Sequence, residues 1–157
     1  MSLTVRRAEE RDIPAVMELL KQVNRVHYDG RPDLFKLATK YSEDDLRAIF
    51  KNEKTPVFVC CDGEGRVLGH GFCVLQRPEN VKLMRDVLTL YIDDICVDAS
   101  ARGKHVGSAI YHRILDFARE KGCYNVTLNV WSCNPGAIKF YEKLGLVPYK
   151  IGMETVL

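Results

Sequence analysis

From Val87 to Trp131 the chain reads as a strand, a small-residue turn, a helix and a second strand. The strands are VLTLYIDDICVD and YNVTLNVW, and the turn is ASARGKHVG. No other feature constrains the fold as strongly. Two strands joined through an intervening helix form the β-α-β crossover of a parallel pair. The helix is legible in Val106, Ile110, Ile114, Phe117 and Ala118, which fall on one stripe, with Gly122 suited to its end.

The remaining segments complete an α/β pattern. Leu3 to Ala8 alternates as a first strand, and Asp12 is positioned to cap a helix carrying Ile13, Val16, Leu19, Leu20 and Val23. The stretch His27–Lys36 interrupts that helix with Gly30 and Pro32. Ser42 and Asp45 have the spacing of a capping box, opening a short helix with Leu46, Ile49 and Phe50. In TPVFVCCDGEGRVLGHGFCVLQ, two β-rich runs flank DGEG, a hairpin signature. Asn134 caps a last helix with Pro135 in its first turn, and that helix stops at Gly145. A final strand is expected from Leu146. The order is β-α-α-β-β-β-α-β-α-β, a mixed, mostly antiparallel sheet with flanking helices. At 157 residues it is expected to form one domain, 1–157.

Composition excludes some functions. A net charge of +2 gives no broad electrostatic case for nucleic acid. No apolar run approaches the roughly 20 residues that span a bilayer, so no membrane partner is expected. The opening MSLTVRRAEE is too polar for a secretory signal. The six cysteines form no C-x-x-C pair, and the four histidines have no H-E-x-x-H spacing, so no metal is expected. Most of the cysteines sit in strand-like runs as small apolar residues. A cytoplasmic location with reduced thiols follows.

The turn Ala99–Ser108 carries the clearest chemistry. A strand that enters a helix through small residues leaves backbone N–H groups unpaired at the helix N-terminus, and these attract phosphate. Arg102 and Lys104 add positive charge, while His105 stands where a further glycine would be usual. Read alone, the segment is also compatible with an ordinary glycine-assisted turn. It is not a P-loop, because Gly107 is followed by Ser108 and Ala109 rather than Lys and Ser or Thr. It also lacks G-x-G-x-x-G. Further on, Asn134 and Tyr141 are two helical turns apart and share a face, although Tyr141 also reads as a core tyrosine with a wet hydroxyl.

Together, Arg102-Gly103-Lys104-His105-Val106-Gly107 and the segment NPGAIKFYEKLG from Asn134 to Gly145 resemble the GCN5-related N-acetyltransferase family. The first matches the family's R/Q-x-x-G-x-G/A loop at Arg102 and Gly107. The second matches N-x-x-A-x-x-F-Y-E-K-x-G-F, with Leu146 in the last aromatic place. DDICVD resembles the family's central strand. The resemblance implies splayed central strands, with the backbone of Ile95, Cys96 and Val97 pairing with the pantetheine arm of acetyl-CoA, and the Val97 N–H polarising the thioester carbonyl. It implies that amides from Arg102 through Gly103, Lys104, His105, Val106 and Gly107 to Ser108 surround the pyrophosphate. Asn134 and Ala137 would also contact the cofactor, and Tyr141 would protonate the departing thiolate. Asp93 and Asp94 are the candidates for a base that frees the amine. Since successive strand residues face opposite ways, only one of them is expected to reach the site.

The resemblance implies an acetyl-CoA-dependent transfer to a primary amine, with a small-molecule acceptor favoured. A protein N-terminus or lysine, or a non-catalytic acyl-CoA-binding domain, is the alternative. It also allows a homodimer. His27, Tyr28 and Phe35 are the candidates for the acceptor wall, although a packed connection explains them as well. His70 and His112 have no partner legible in the sequence.

Overall fold

A computed structural model describes residues 2–157. Its strands are β1 (Thr4–Arg7), β2 (Val57–Cys61), β3 (Val67–Gln76), β4 (Thr89–Val97) and β5 (Asn125–Leu128). Its helices are α1 (Ile13–Gly30), α2 (Glu43–Lys51), α3 (Val106–Glu120) and α4 (Pro135–Lys143). The five strands form one sheet in sequence order. The first three pairings are antiparallel, and β4 with β5 is parallel, as the crossover through α3 requires.

Each sheet face has its own core. On one side Ile110, Ile114 and Phe117 of α3 pack onto Phe58, Cys60, Leu90 and Ile92. On the other, Ile13, Val16 and Leu20 of α1 and Leu46 of α2 pack onto Val57, Val59 and Phe72. The apolar stripes expected for these helices are therefore the faces that fold against the sheet.

Three expectations need correction. Asp12 does not cap α1; burial alone would raise its carboxyl, but hydrogen bonds from Arg6 and the Glu9 amide outweigh it, leaving it below its ordinary value. Helix α1 runs on through His27 to Gly30. One glycine costs a helix only about 1 kcal/mol, and the stop comes from Pro32, which keeps Arg31 out of helical geometry at φ −138°. Finally, residues 146–157 form no strand. Val147, Tyr149, Ile151 and Met153 are exposed. A strand is made by pairing, which strand-like residue types alone do not provide, and this segment takes no place in the five-stranded sheet. The Ser42–Asp45 capping box forms as expected, with bonds of 3.1 and 2.9 Å.

Candidate active site

β4 is nine residues long but pairs with β5 only from Thr89 to Ile92. Beyond Ile92 the two strands part, leaving one edge of β4 open. The Asp98 N–H donates to the Leu68 carbonyl at 2.8 Å, on the β3 side. Backbone direction alternates along a strand, so the amides of Ile95 and Val97 face the open edge. Cys96 faces β3 with its backbone, and its thiol donates to the Leu19 carbonyl at 3.3 Å. Burial pushes that thiol up to about 12, so it carries no thiolate at neutral pH. The side chains of Ile95 and Val97 pack against the α3 core.

At the end of β4 the chain turns into α3. Asp98 anchors the turn by accepting from Gln22 of α1 at 2.9 Å and from the Ser100 amide at 3.0 Å. Ala101 is buried, whereas Arg102, Gly103, Lys104 and His105 are exposed. Gly103 and His105 both take positive φ, +77° and +65°. The first bond of the helix runs from the Ala109 N–H to the His105 carbonyl at 3.0 Å. No side chain caps this end, so the amides of Val106, Gly107 and Ser108 stay free, and the helix dipole makes this end electropositive. Gly107 also has a packing part that its motif does not suggest. It is buried, and a Cβ there would come within 2.9 Å of the Phe140 ring, so it lets α3 and α4 pack closely.

Asn134 caps α4 through its side-chain oxygen, which accepts from the Ala137 amide at 3.2 Å. Tyr141 follows on the same helix. Burial, and then the charge of Asp94, push its hydroxyl well above the ordinary tyrosine value, so it holds its proton throughout the neutral range.

Asp93 and Asp94 do not face opposite sides. Phe72 pairs with Asp94 and Cys73 with Ile92, so Asp93 is left over as a β-bulge. The extra residue resets the alternation and turns both carboxylates toward the α1–α2 side. There they take different partners. Asp93 accepts from Lys40 Nζ at 2.6 Å and from the Tyr41 hydroxyl at 3.3 Å. Burial pulls the Lys40 ammonium down, but its bond to Asp93 outweighs this and holds it above its ordinary value. Asp94 lies against His70 at 2.8 Å and within electrostatic reach of His27 and Tyr141.

His27 and Phe35 come together with ring centroids 5.0 Å apart, and Phe35 meets Trp131 edge-on at 5.4 Å. Tyr28 is half-buried on the last turns of α1. Burial lowers the His27 imidazole, against the pull of Asp94. A cleft of about 340 Å³ is lined by His27, Gly30, Trp131, Cys133 and Asn134. A larger hollow of about 500 Å³ lies at β1 and the β2–β3 turn, where Arg6 and Asp12 are already paired. None of the candidate site residues lines it. Sequence reasoning missed Trp131, Lys40 and His70. Trp131 could have been suspected, since it follows the strand that enters the Asn134 segment; nothing in the sequence tied Lys40 or His70 to the two aspartates. No group of three or more His, Cys, Asp or Glu with metal-binding geometry occurs among the described residues.

The sheet thus opens beside a helix N-terminus whose first amides are free. The chain belongs to the acetyltransferase (GNAT) family, whose model matches residues 16–146. It is 32% identical over 145 residues to the glucosamine 6-phosphate N-acetyltransferase of Trypanosoma brucei brucei, covering 92% of this chain and 89% of that one. It is 38% identical over 63 residues to glucosamine 6-phosphate N-acetyltransferase 1 of Oryza sativa subsp. japonica, a match covering 40% of this chain and 36% of the rice protein. Its fold superposes on the crystal structure of a mutant BH1408 protein from Bacillus halodurans with a TM-score of 0.93, at 28% identity, covering 98% of this chain and 99% of that one. No helix among the described residues is long and apolar enough to cross a membrane.

Proposed function

We propose that this chain moves the acetyl group of acetyl-CoA directly to a primary amine of a small molecule. The parting of β4 from β5 beside the uncapped first turn of α3 carries this reading. Free amides at Val106, Gly107 and Ser108 suit a pyrophosphate, and the open edge at Ile95 and Val97 suits an amide-bearing arm. The residues therefore fit acetyl-CoA, which would supply the acetyl thioester.

The chain's own groups do the rest. The Asp94 carboxylate takes a proton from the incoming ammonium and frees the nitrogen lone pair. That lone pair forms the new C–N bond as the C–S bond breaks. The Val97 N–H meets the carbonyl oxygen as it gains charge. Tyr141 gives its phenolic proton to the departing sulfur and is reprotonated by the second proton that the nitrogen loses. One ammonium and one thioester thus become one amide, one thiol and one proton, which leaves through Asp94. Asp93, already held by Lys40 and Tyr41, takes no part in the transfer.

The small cleft beside His27, Phe35 and Trp131 supports a small acceptor, as do relatives named for glucosamine 6-phosphate. Six free cysteines support a reducing, cytoplasmic setting. The exposed apolar residues of 147–157 support pairing with a second copy. Thiol release from acetyl-CoA with amine substrates tests the mechanism. Asp94→Asn is expected to lose at least about 100-fold in kcat/KM and Asp93→Asn less than about tenfold; the reverse order would overturn the assignment.

A further inference from the structure

His70 sits in the middle of β3 and is fully buried, yet the transfer described above makes no use of it. Its Nε2 is 2.8 Å from Asp94 Oδ2, while its Nδ1 meets neither a donor nor an acceptor. The register accounts for the pairing. His70 is opposite Cys96 and Phe72 is opposite Asp94, which places Asp94 diagonally across from His70 on one sheet face. The bulge at Asp93 puts Asp94 on that face. The ring of Phe72 meets the imidazole edge-on at 4.8 Å and 83° and fixes its plane.

These contacts select one tautomer. A bare Nε2 would set a lone pair against a carboxylate oxygen at hydrogen-bond distance. A proton on Nδ1 would be a buried donor with no acceptor. Only the neutral ring with its proton on Nε2 satisfies every short contact. The groups that bear on Asp94 are His27 from α1, Lys40 from the segment before α2, its neighbours Asp93 and Cys96 on β4, and Tyr141 from α4. His70 is the one side chain hydrogen-bonded to Asp94 among the described residues.

We infer that His70 is a positioning residue, a fixed donor to Oδ2 that holds the Asp94 carboxylate in place and turns Oδ1 toward the acceptor nitrogen. A donor at 2.8 Å from Oδ2 satisfies one carboxylate oxygen and favours the charged form that accepts a proton. The proton taken from the ammonium lands on Oδ1. It does not pass to His70, because Nε2 already carries a hydrogen and Nδ1 has no onward acceptor. This inference rests on Asp94 being the base.

Two measurements test it. In the ligand-free protein, ¹⁵N NMR of the imidazoles, with His70 assigned by its loss in His70→Gln, is expected to show the neutral Nε2–H form. A cationic ring or an Nδ1–H form overturns the inference. In kinetics, His70→Leu is expected to move the low-pH limb of kcat/KM upward and to lower kcat/KM at pH 7 about tenfold or more, with CoA affinity held within about twofold. His70→Gln, whose amide N–H can occupy the place of Nε2, is expected to restore the limb. An unmoved limb in His70→Leu, or equal losses in both variants without a shift, overturns the inference while leaving the base assignment intact. Full activity in Asp94→Asn overturns the base assignment, and the inference with it. If His70→Leu fails to fold, the NMR measurement on the wild-type ring still decides.

Discussion

His105→Gly isolates the backbone of the anion-binding turn from its side chain. His105 sits at φ +65° and ψ +17°, in the left-handed region, exposed and with no capping bond from its imidazole. A side chain there costs roughly 1–2 kcal/mol, toward the lower end for histidine, which visits this region more readily than most. Glycine removes that cost but adds roughly 0.4–1 kcal/mol of unfolded-chain entropy. The balance favours His105→Gly by about 0.5 kcal/mol, or roughly 1–2 °C in Tm for a chain of this size. His105→Val, β-branched at positive φ, is expected to melt several degrees below wild type. Calorimetric melting of the three proteins checks the order, and titration calorimetry with CoA checks the site. Because the ligand would need only the backbone N–H, His105→Gly is expected to keep CoA affinity within about threefold. If His105→Gly melts below wild type, or His105→Val melts with it, the turn is not held by a positive φ. A large loss of CoA affinity in His105→Gly would mean that the imidazole itself touches the cofactor.

Other substitutions probe the remaining parts of the site and its frame. Tyr141→Phe is expected to lower kcat about 100-fold or more with little change in KM. Because the wild-type hydroxyl titrates above its ordinary value of 10.0, the rate is expected to show no alkaline loss from this group below pH 10. Gly107→Ala is expected to cost about 1–3 kcal/mol of stability through its clash with Phe140, so its Tm falls whether or not CoA is present. Asp12→Ala leaves the Arg6 guanidinium half-buried and unpaired, and is expected to cost about 3 kcal/mol, the low end for such pairs. In the wild type the Asp12 carboxyl is lowered on folding from 3.8. Its contribution is therefore complete above about pH 4 and fades as the pH drops below that value; acid melts of wild type and Asp12→Ala are expected to converge.

The fold was largely written in local pattern. Helical stripes such as Val106, Ile110, Ile114 and Phe117, the Ser42–Asp45 box and the DGEG hairpin are short-range signals, and each names an element without knowledge of the rest. What escaped depends on pairing. The bulge at Asp93 exists because Phe72 and Cys73 take Asp94 and Ile92 as partners, and no periodicity within DDICVD announces it. Without that register Asp93 and Asp94 look equivalent and opposed. With it, one is captured by Lys40 and the other by His70. Lys40 lies 53 residues from Asp93 in the chain and His70 lies 24 from Asp94. Contacts at that separation leave no trace in one sequence. The segment after Leu146 failed for the opposite reason: its residues favour a strand, but they take no place in the sheet.

The most direct test of the account is amine-dependent thiol release. Purified wild-type protein would be incubated with acetyl-CoA and a panel of small amines, amino sugars and polyamines among them, beside lysine-bearing and free N-terminal peptides. At least one small amine is expected to raise CoA release far above the amine-free rate, to yield the N-acetylated product in equal amount, and to do so more effectively than any peptide. CoA binding without stimulation by any amine would contradict it.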